Sequence, residues 1–137
     1  MTAELYVLDT SALLALIEDE AGADRVETLL REGRVILPFV VLLEVYYLSL
    51  RERGEEEADR RYAMLKRLRA EALWQVDEPT LLSAGRLKAT GSVSFADALI
   101  AAFAQRHDAV LVHKDPEYES LAREVKLEAL PYKPKRS

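Results

Sequence analysis

Four acidic residues stand where the surrounding chain is mostly apolar. Asp9 closes the run Leu5-Tyr6-Val7-Leu8, and Glu44 lies inside Val40-Val41-Leu42-Leu43-Glu44-Val45-Tyr46-Tyr47-Leu48. Asp97 opens Asp97-Ala98-Leu99-Ile100-Ala101-Ala102-Phe103, and Asp115 follows Ala109-Val110-Leu111-Val112-His113-Lys114. A carboxylate at the margin of a core is costly unless something compensates its charge. Four such acids, spread over the whole chain, can share one compensating partner. A hard divalent cation, which takes oxygen ligands, is the natural one.

Each aspartate also has a structural explanation of its own. Asp9 suits the N-cap of a helix starting at Thr10. Asp115 before Pro116 suits another, with proline at the first helical position. Ser94-Phe95-Ala96-Asp97 has the form of a capping box with Asp in place of Glu. Glu44 is too deep in its helix to cap it, and its neighbours Val40, Tyr47 and Leu48 put it on an apolar face. Its structural alternative is a buried ion pair with an arginine. Caps explain each aspartate singly, but not why all three should point toward Glu44. Around this set, Thr10 and Ser11 are placed to hydrogen-bond a metal-bound water or a phosphate at a helix N-terminus. His113 and Lys114 precede Asp115 and are candidate substrate contacts. The chain has no P-loop, GxGxxG, GxSxG or HExxH motif.

The elements that must position these residues follow from periodicity. Residues 5–8 read as a short buried strand and 10–18 as a helix with apolar positions at 13, 14, 16 and 17. A second helix over 22–32 ends at Gly33. Residues 35–37 form a strand, Pro38 a turn, and 39–53 a long helix. A charged helix over 55–72 carries Tyr62, Leu65 and Leu68 on one stripe, followed by a strand at Leu73-Trp74-Gln75-Val76. Helices over 78–89 and 94–106 precede a strand at 109–112, a short helix from Pro116 to Arg123 and an edge strand at 125–130. Alternating strands and helices predict an α/β domain: a central parallel sheet of four or five strands with helices on both faces. Residues 1–132 make that domain and 133–137 a basic tail. In such sheets, ligands bind outside the carboxyl ends of the strands. Asp9 and Asp115 belong at that edge, and Glu44 and Asp97 lie in the first turns of helices that leave it.

Composition bounds the rest. A chain of 137 residues, half apolar and 31% charged, fits one globular domain. Without cysteine there is no disulfide framework, thiol nucleophile or thiolate zinc site. No apolar stretch approaches the ~20 residues of a membrane span, and no basic leader opens the chain, so a cytoplasmic place without membrane attachment is expected. The net charge of −5 argues against a generic nucleic-acid coat protein. It leaves a nuclease open, because with the four acids set aside the remainder is nearly balanced. The helix over 39–53 is apolar on more than one face, with Phe39, Leu42, Tyr46 and Leu50, and this surplus predicts a homodimer.

With these residues in place, the chain resembles PIN-domain ribonucleases, in particular the small VapC-like toxins. The matching pieces are Leu8-Asp9-Thr10-Ser11-Ala12-Leu13-Leu14, Pro38 with Leu43-Glu44-Val45, Phe95-Ala96-Asp97-Ala98-Leu99-Ile100-Ala101-Ala102, and His113-Lys114-Asp115-Pro116-Glu117-Tyr118-Glu119. Their order and spacing cover nearly the whole chain. The resemblance implies a three-layer PIN-like sandwich and Mg²⁺- or Mn²⁺-dependent cleavage of RNA. It also implies frequent homodimers, and often an antitoxin protein that occupies the site. The family's acids map onto Asp9, Glu44, Asp97 and Asp115. Many members carry Thr or Ser two residues before the last acid, where this chain has His113. On this reading the chain is a metal-dependent endoribonuclease, with Asp9 and Asp97 as the most direct ligands and Glu44 and Asp115 completing the cluster. Two rivals stand beside it. One is a PIN-like module that binds RNA or protein without cutting. The other is a receiver- or dehalogenase-like phosphate-handling domain. The second lacks its pattern: the position two after Asp9 is Ser11, and no early acid pair is present.

Overall fold

A computed structural model describes residues 4–134. Five parallel strands form one sheet in the order β3-β2-β1-β4-β5. They are β1 (Leu5–Leu8), β2 (Arg34–Pro38), β3 (Glu71–Leu73), β4 (Val110–His113) and β5 (Lys126–Ala129). Six helices connect them: α1 (Thr10–Ile17), α2 (Ala23–Glu32), α3 (Phe39–Arg53), α4 (Glu55–Lys66), α5 (Glu78–Thr90) and α6 (Phe95–Arg106). A single 3-10 turn, Pro116–Leu121, leads from β4 toward β5. Right-handed crossovers put α1–α4 on one face of the sheet and α5–α6 on the other. The expected α/β sandwich is therefore the observed one.

β1 is the middle strand, with β2 on one side and β4 on the other. A strand buried on both faces needs a continuous apolar run rather than an alternating one. Val7, Leu8, Leu111 and Val112 meet that need and are fully buried. From β1 the chain winds outward through β2 to β3, then crosses back to β4 and β5. The order of winding thus reverses between β1 and β4, and a cleft opens at such a point above the carboxyl ends of the strands.

The structure corrects one stretch. The sequence pattern predicts a helix through residue 72 and a strand at 73–76. Instead α4 ends at Lys66, and β3 occupies Glu71–Leu73. The reason is the partner: β3 pairs with Ile36, Leu37 and Pro38. At Pro38 the chain turns into α3, so no strand remains beside residues 74–76. Trp74 and Val76 are left 53% and 37% exposed. The expected tail at 133–137 is only partly described. Lys133 forms an ion pair with Glu20 at 3.0 Å, and residues 135–137 lie outside the described residues.

Candidate metal centre

Asp9 follows the last residue of β1 and has a relative exposure of 3%. Its backbone N–H donates to the Val112 carbonyl at 3.1 Å, which extends the β1–β4 pairing by one bond. Its carboxylate caps α1 by accepting from the Ala12 N–H at 2.8 Å, as predicted. The Ser11 hydroxyl donates to both carboxylate oxygens at 2.7 and 2.9 Å. That hydroxyl in turn accepts the Lys114 N–H at 2.9 Å. Ser11 therefore ties the start of α1 to the end of β4, where Asp115 stands.

Glu44 lies in the second turn of α3. The Thr10 hydroxyl donates to its Oε1 at 2.6 Å. Among the described residues it has no cationic partner, so the buried ion pair with arginine is not present. Asp97 sits in the first turn of α6. The Ser94 hydroxyl caps that helix by accepting the Asp97 N–H at 3.1 Å. Asp97's own carboxylate accepts from the Tyr118 hydroxyl at 3.0 Å. Asp115 caps the 3-10 turn by accepting the Glu117 N–H at 2.9 Å. All three aspartates are thus associated with helix starts, and all three stand at one edge of the sheet.

The electrostatics show that the four acids share a field. Burial raises Asp9 from its ordinary 3.8 to about 7, with Asp97 and Asp115 adding repulsion. Burial likewise raises Asp97 to about 6, with Asp115 and Glu44 adding theirs. None of the four is ion-paired among the described residues. Like charges held together without a counter-charge favour protonation or a bound cation. The donor set is all oxygen, as a hard divalent ion requires. Carboxylate oxygens of Asp97, Asp115 and Glu117 come within 4.8 Å of one another. Among the described residues neither Asp9 nor Glu44 joins a trio this tight, and the oxygen donors of Asp97, Asp115 and Glu117 fit a divalent cation. Asp9 and Glu44 flank them.

Two residues escaped the sequence reading. Glu117 was legible only as a favourable acid in a first turn, and Tyr118 as part of a motif without a role. The available signal was the Asp-Pro start of a tight 3-10 turn, which sends consecutive side chains in different directions. Glu117 is exposed and Tyr118 is fully buried.

The structure buries the side chains of the expected substrate contacts at 113 and 114. His113 is 1% exposed. Its Nδ1 accepts the Asp115 N–H at 3.1 Å, so its proton is on Nε2 when the ring is neutral. The ring packs against Tyr118, with centroids 4.9 Å apart. Burial lowers its pKa, which favours that neutral form. The Lys114 ammonium donates to the Ala21 carbonyl at 2.8 Å and lies 3.8 Å from Glu20. Its side chain is only 4% exposed. Both residues position the loop that carries Asp115. Thr10 and Ser11 are likewise engaged by Glu44 and Asp9.

Residues 6–124 match the family model described as PIN domain. The chain belongs to the PIN domain family. Its fold is also that of several solved structures with VapC-type chains. A chain of VapBC2 from Rickettsia felis, bound to a DNA fragment from its promoter, matches with a TM-score of 0.77 at 19% identity, covering 93% of this chain and 99% of that one. VapBC-1 from nontypeable Haemophilus influenzae gives 0.72 at 24% identity, covering 91% and 97%. VapC20 from Mycobacterium tuberculosis, described as a sarcin-ricin loop cleaving toxin, gives 0.71 at 20% identity, covering 92% and 99%. No curated protein matches this PIN domain by sequence. The shared architecture covers nearly the whole length of these chains, so their fold is this fold.

Proposed function

We propose that this PIN domain is a divalent-metal-dependent endoribonuclease and the toxin of a toxin–antitoxin pair. One observation supports the reading most: Asp9, Asp97, Asp115 and Glu44 are coupled by repulsion at the carboxyl edge of the sheet, and none has a cationic partner among the described residues. The sarcin-ricin loop cleaving toxin and the VapBC complexes among its fold neighbours support the substrate class and the partner. Mg²⁺ or Mn²⁺ is the expected ion, held by Asp97, Asp115 and Glu117 with Asp9 and Glu44 alongside. Such an ion supplies charge neutralisation at a phosphoryl oxygen and makes water acidic enough to attack at neutral pH. The chain's own groups do the rest. Thr10 and Ser11 fix the carboxylates of Glu44 and Asp9, and one carboxylate takes the attacking water's proton. Attack by water rather than by a 2′-hydroxyl leaves a 5′-phosphate and a 3′-hydroxyl. Cleavage of structured and unstructured RNAs in Mg²⁺ or Mn²⁺, lost in EDTA and in Asp9→Asn, is the expected result. RNA retained without cleavage would favour the binding-module rival instead.

Glu44 gives a sharper test. Glu44→Gln keeps an acceptor for the Thr10 hydroxyl and removes a charge that has no cationic partner among the described residues. Cleavage should be lost while the melting temperature stays the same or rises. A drop in stability of ~3–5 kcal/mol, the cost of breaking a buried ion pair, would return Glu44 to a structural role.

The dimer expectation needs a change of residues. Leu42 is 3% exposed and belongs to the core. Phe39 and Tyr46 pack edge-on against Phe103 and Tyr62. The apolar surface on α3 is Leu43, Tyr47 and Leu50, at 56%, 38% and 37% exposure. Leu81, Leu82 and Phe95 on α5 and α6 are also exposed, at 58%, 48% and 77%. This much exposed apolar surface marks an interface. A homodimer, with an antitoxin as further partner, is the proposed assembly. An antitoxin arginine placed among the acids would replace the cation's charge through a bidentate pair. Sedimentation at micromolar concentration should give about twice 15.5 kDa, and a clean monomer would remove the dimer. Among the described residues no helix is long and apolar enough to cross a membrane, and the proposed place of action is the cytoplasm.

A further inference from the structure

Tyr118 is fully buried, yet its hydroxyl reaches the acidic cluster. It lies in the 3-10 turn Pro116–Leu121, one residue after Glu117 and three after Asp115. Its hydroxyl donates to Asp97 Oδ1 at 3.0 Å. The ring is held by His113 at 4.9 Å, and His113 is itself fixed by the Asp115 N–H. The 3-10 turn and its cap carry two of the three closest carboxylates, Glu117 and Asp115, and α6 carries the third, Asp97. The phenol hydroxyl is the one side-chain hydrogen bond that joins these two elements at the cluster, among the described residues.

We propose that Tyr118 is a positioning residue for the cation site: its hydroxyl occupies one lone pair of Asp97 Oδ1 and sets Asp97 against Asp115 and Glu117. The inference rests on the cation reading given above. A carboxylate fixed by an outer hydrogen bond presents its remaining lone pairs in one geometry, so less ordering is left for the ion to impose. A phenylalanine at this position would fill the same space and keep the contact with His113, but it would leave Asp97 to rotate.

The test is Mn²⁺ binding to the metal-free chain, measured by calorimetry or by the spin-resonance signal of free Mn²⁺, which needs no RNA and no turnover. Tyr118→Phe should bind Mn²⁺ about 10- to 100-fold more weakly than the unaltered chain, with the metal-free melting curve nearly unchanged. In an Asp97→Ala background the same change should have little further effect, because the group it orients is gone. Equal Mn²⁺ affinities in Tyr118→Phe and the unaltered chain overturn the proposal. So does a lowered metal-free melting temperature with unaltered affinity, the mark of packing alone. A full additive loss on top of Asp97→Ala overturns it too, by assigning the hydroxyl's effect elsewhere. An unaltered chain that fails to bind Mn²⁺ at millimolar concentration removes the cation reading itself, and this inference with it.

Discussion

Asp97→Asn should lower RNA cleavage on the order of 10³-fold, the size of effect seen when an electrostatic element of a reaction centre is removed, and should leave the protein folded. Both halves follow from the geometry. Asp97 is one of the three acids whose oxygens lie within 4.8 Å of one another, so the change removes a formal charge from the centre of the cluster. The fold does not need that charge. α6 is capped by the Ser94 hydroxyl through the Asp97 backbone N–H, which asparagine retains. The asparagine carbonyl oxygen can still accept from Tyr118. Burial already raises Asp97 to about 6, so its ionised form is unfavourable in the folded state. The metal-free variant should therefore melt at the same temperature or higher near neutral pH. Initial rates on end-labelled RNA in Mg²⁺, beside a thermal melt, report both. A variant that retains a tenth of the original rate would remove Asp97 from the reaction.

The second large effect is an inverted dependence of stability on pH in the metal-free protein. Asp9 is raised from 3.8 to about 7. Between those values the folded chain keeps a proton that the unfolded chain has released. Stability therefore falls as pH rises across that window. The contribution is fully present below about pH 4 and is lost as pH passes 7. At 1.36 kcal/mol for each tenfold change, Asp9 accounts for roughly 4 kcal/mol. Asp97 acts in the same direction, between 3.8 and about 6. His113 acts oppositely: its pKa is lowered, so the neutral ring favours the folded state as pH rises through the ordinary histidine range. The isolating measurement is the difference between the unaltered chain and Asp9→Asn, melted from pH 5 to pH 8 in EDTA. The unaltered chain should lose stability relative to the variant as pH rises. Millimolar Mn²⁺ should recover the loss at pH 7 and above, by ligand linkage. Parallel curves for the two proteins would show that Asp9 carries no such strain.

The sequence by itself determined the four acids, the strands that bring two of them to one edge, and the helices that start beside the other two. Those features are local. A continuous apolar run specifies a strand buried on both faces, and a cap followed by apolar spacing specifies a helix. A parallel sheet then forces Asp9 and Asp115 to the same end. The helix over 39–53 was legible to the residue, because Pro38 opens it and Gly54 closes it. What local pattern could not determine was anything set by a partner distant in the chain. Residues 67–72 contain nothing that must break a helix. They leave α4 because residues 71–73 find the end of β2 to pair with. Glu44 could be placed on an apolar face, but only the packed structure shows Thr10 bonded to it rather than an arginine. Lys114 and His113 read as substrate contacts from their nearness to Asp115. Only the packed structure shows their contacts with Ala21, Glu20 and the Asp115 backbone. Glu117 and Tyr118 join the cluster because a 3-10 turn sends one side chain outward and the next into the core. The Asp-Pro start hints at that turn, but what Tyr118 meets becomes visible only when α6 delivers Asp97 to within 3.0 Å of the phenol.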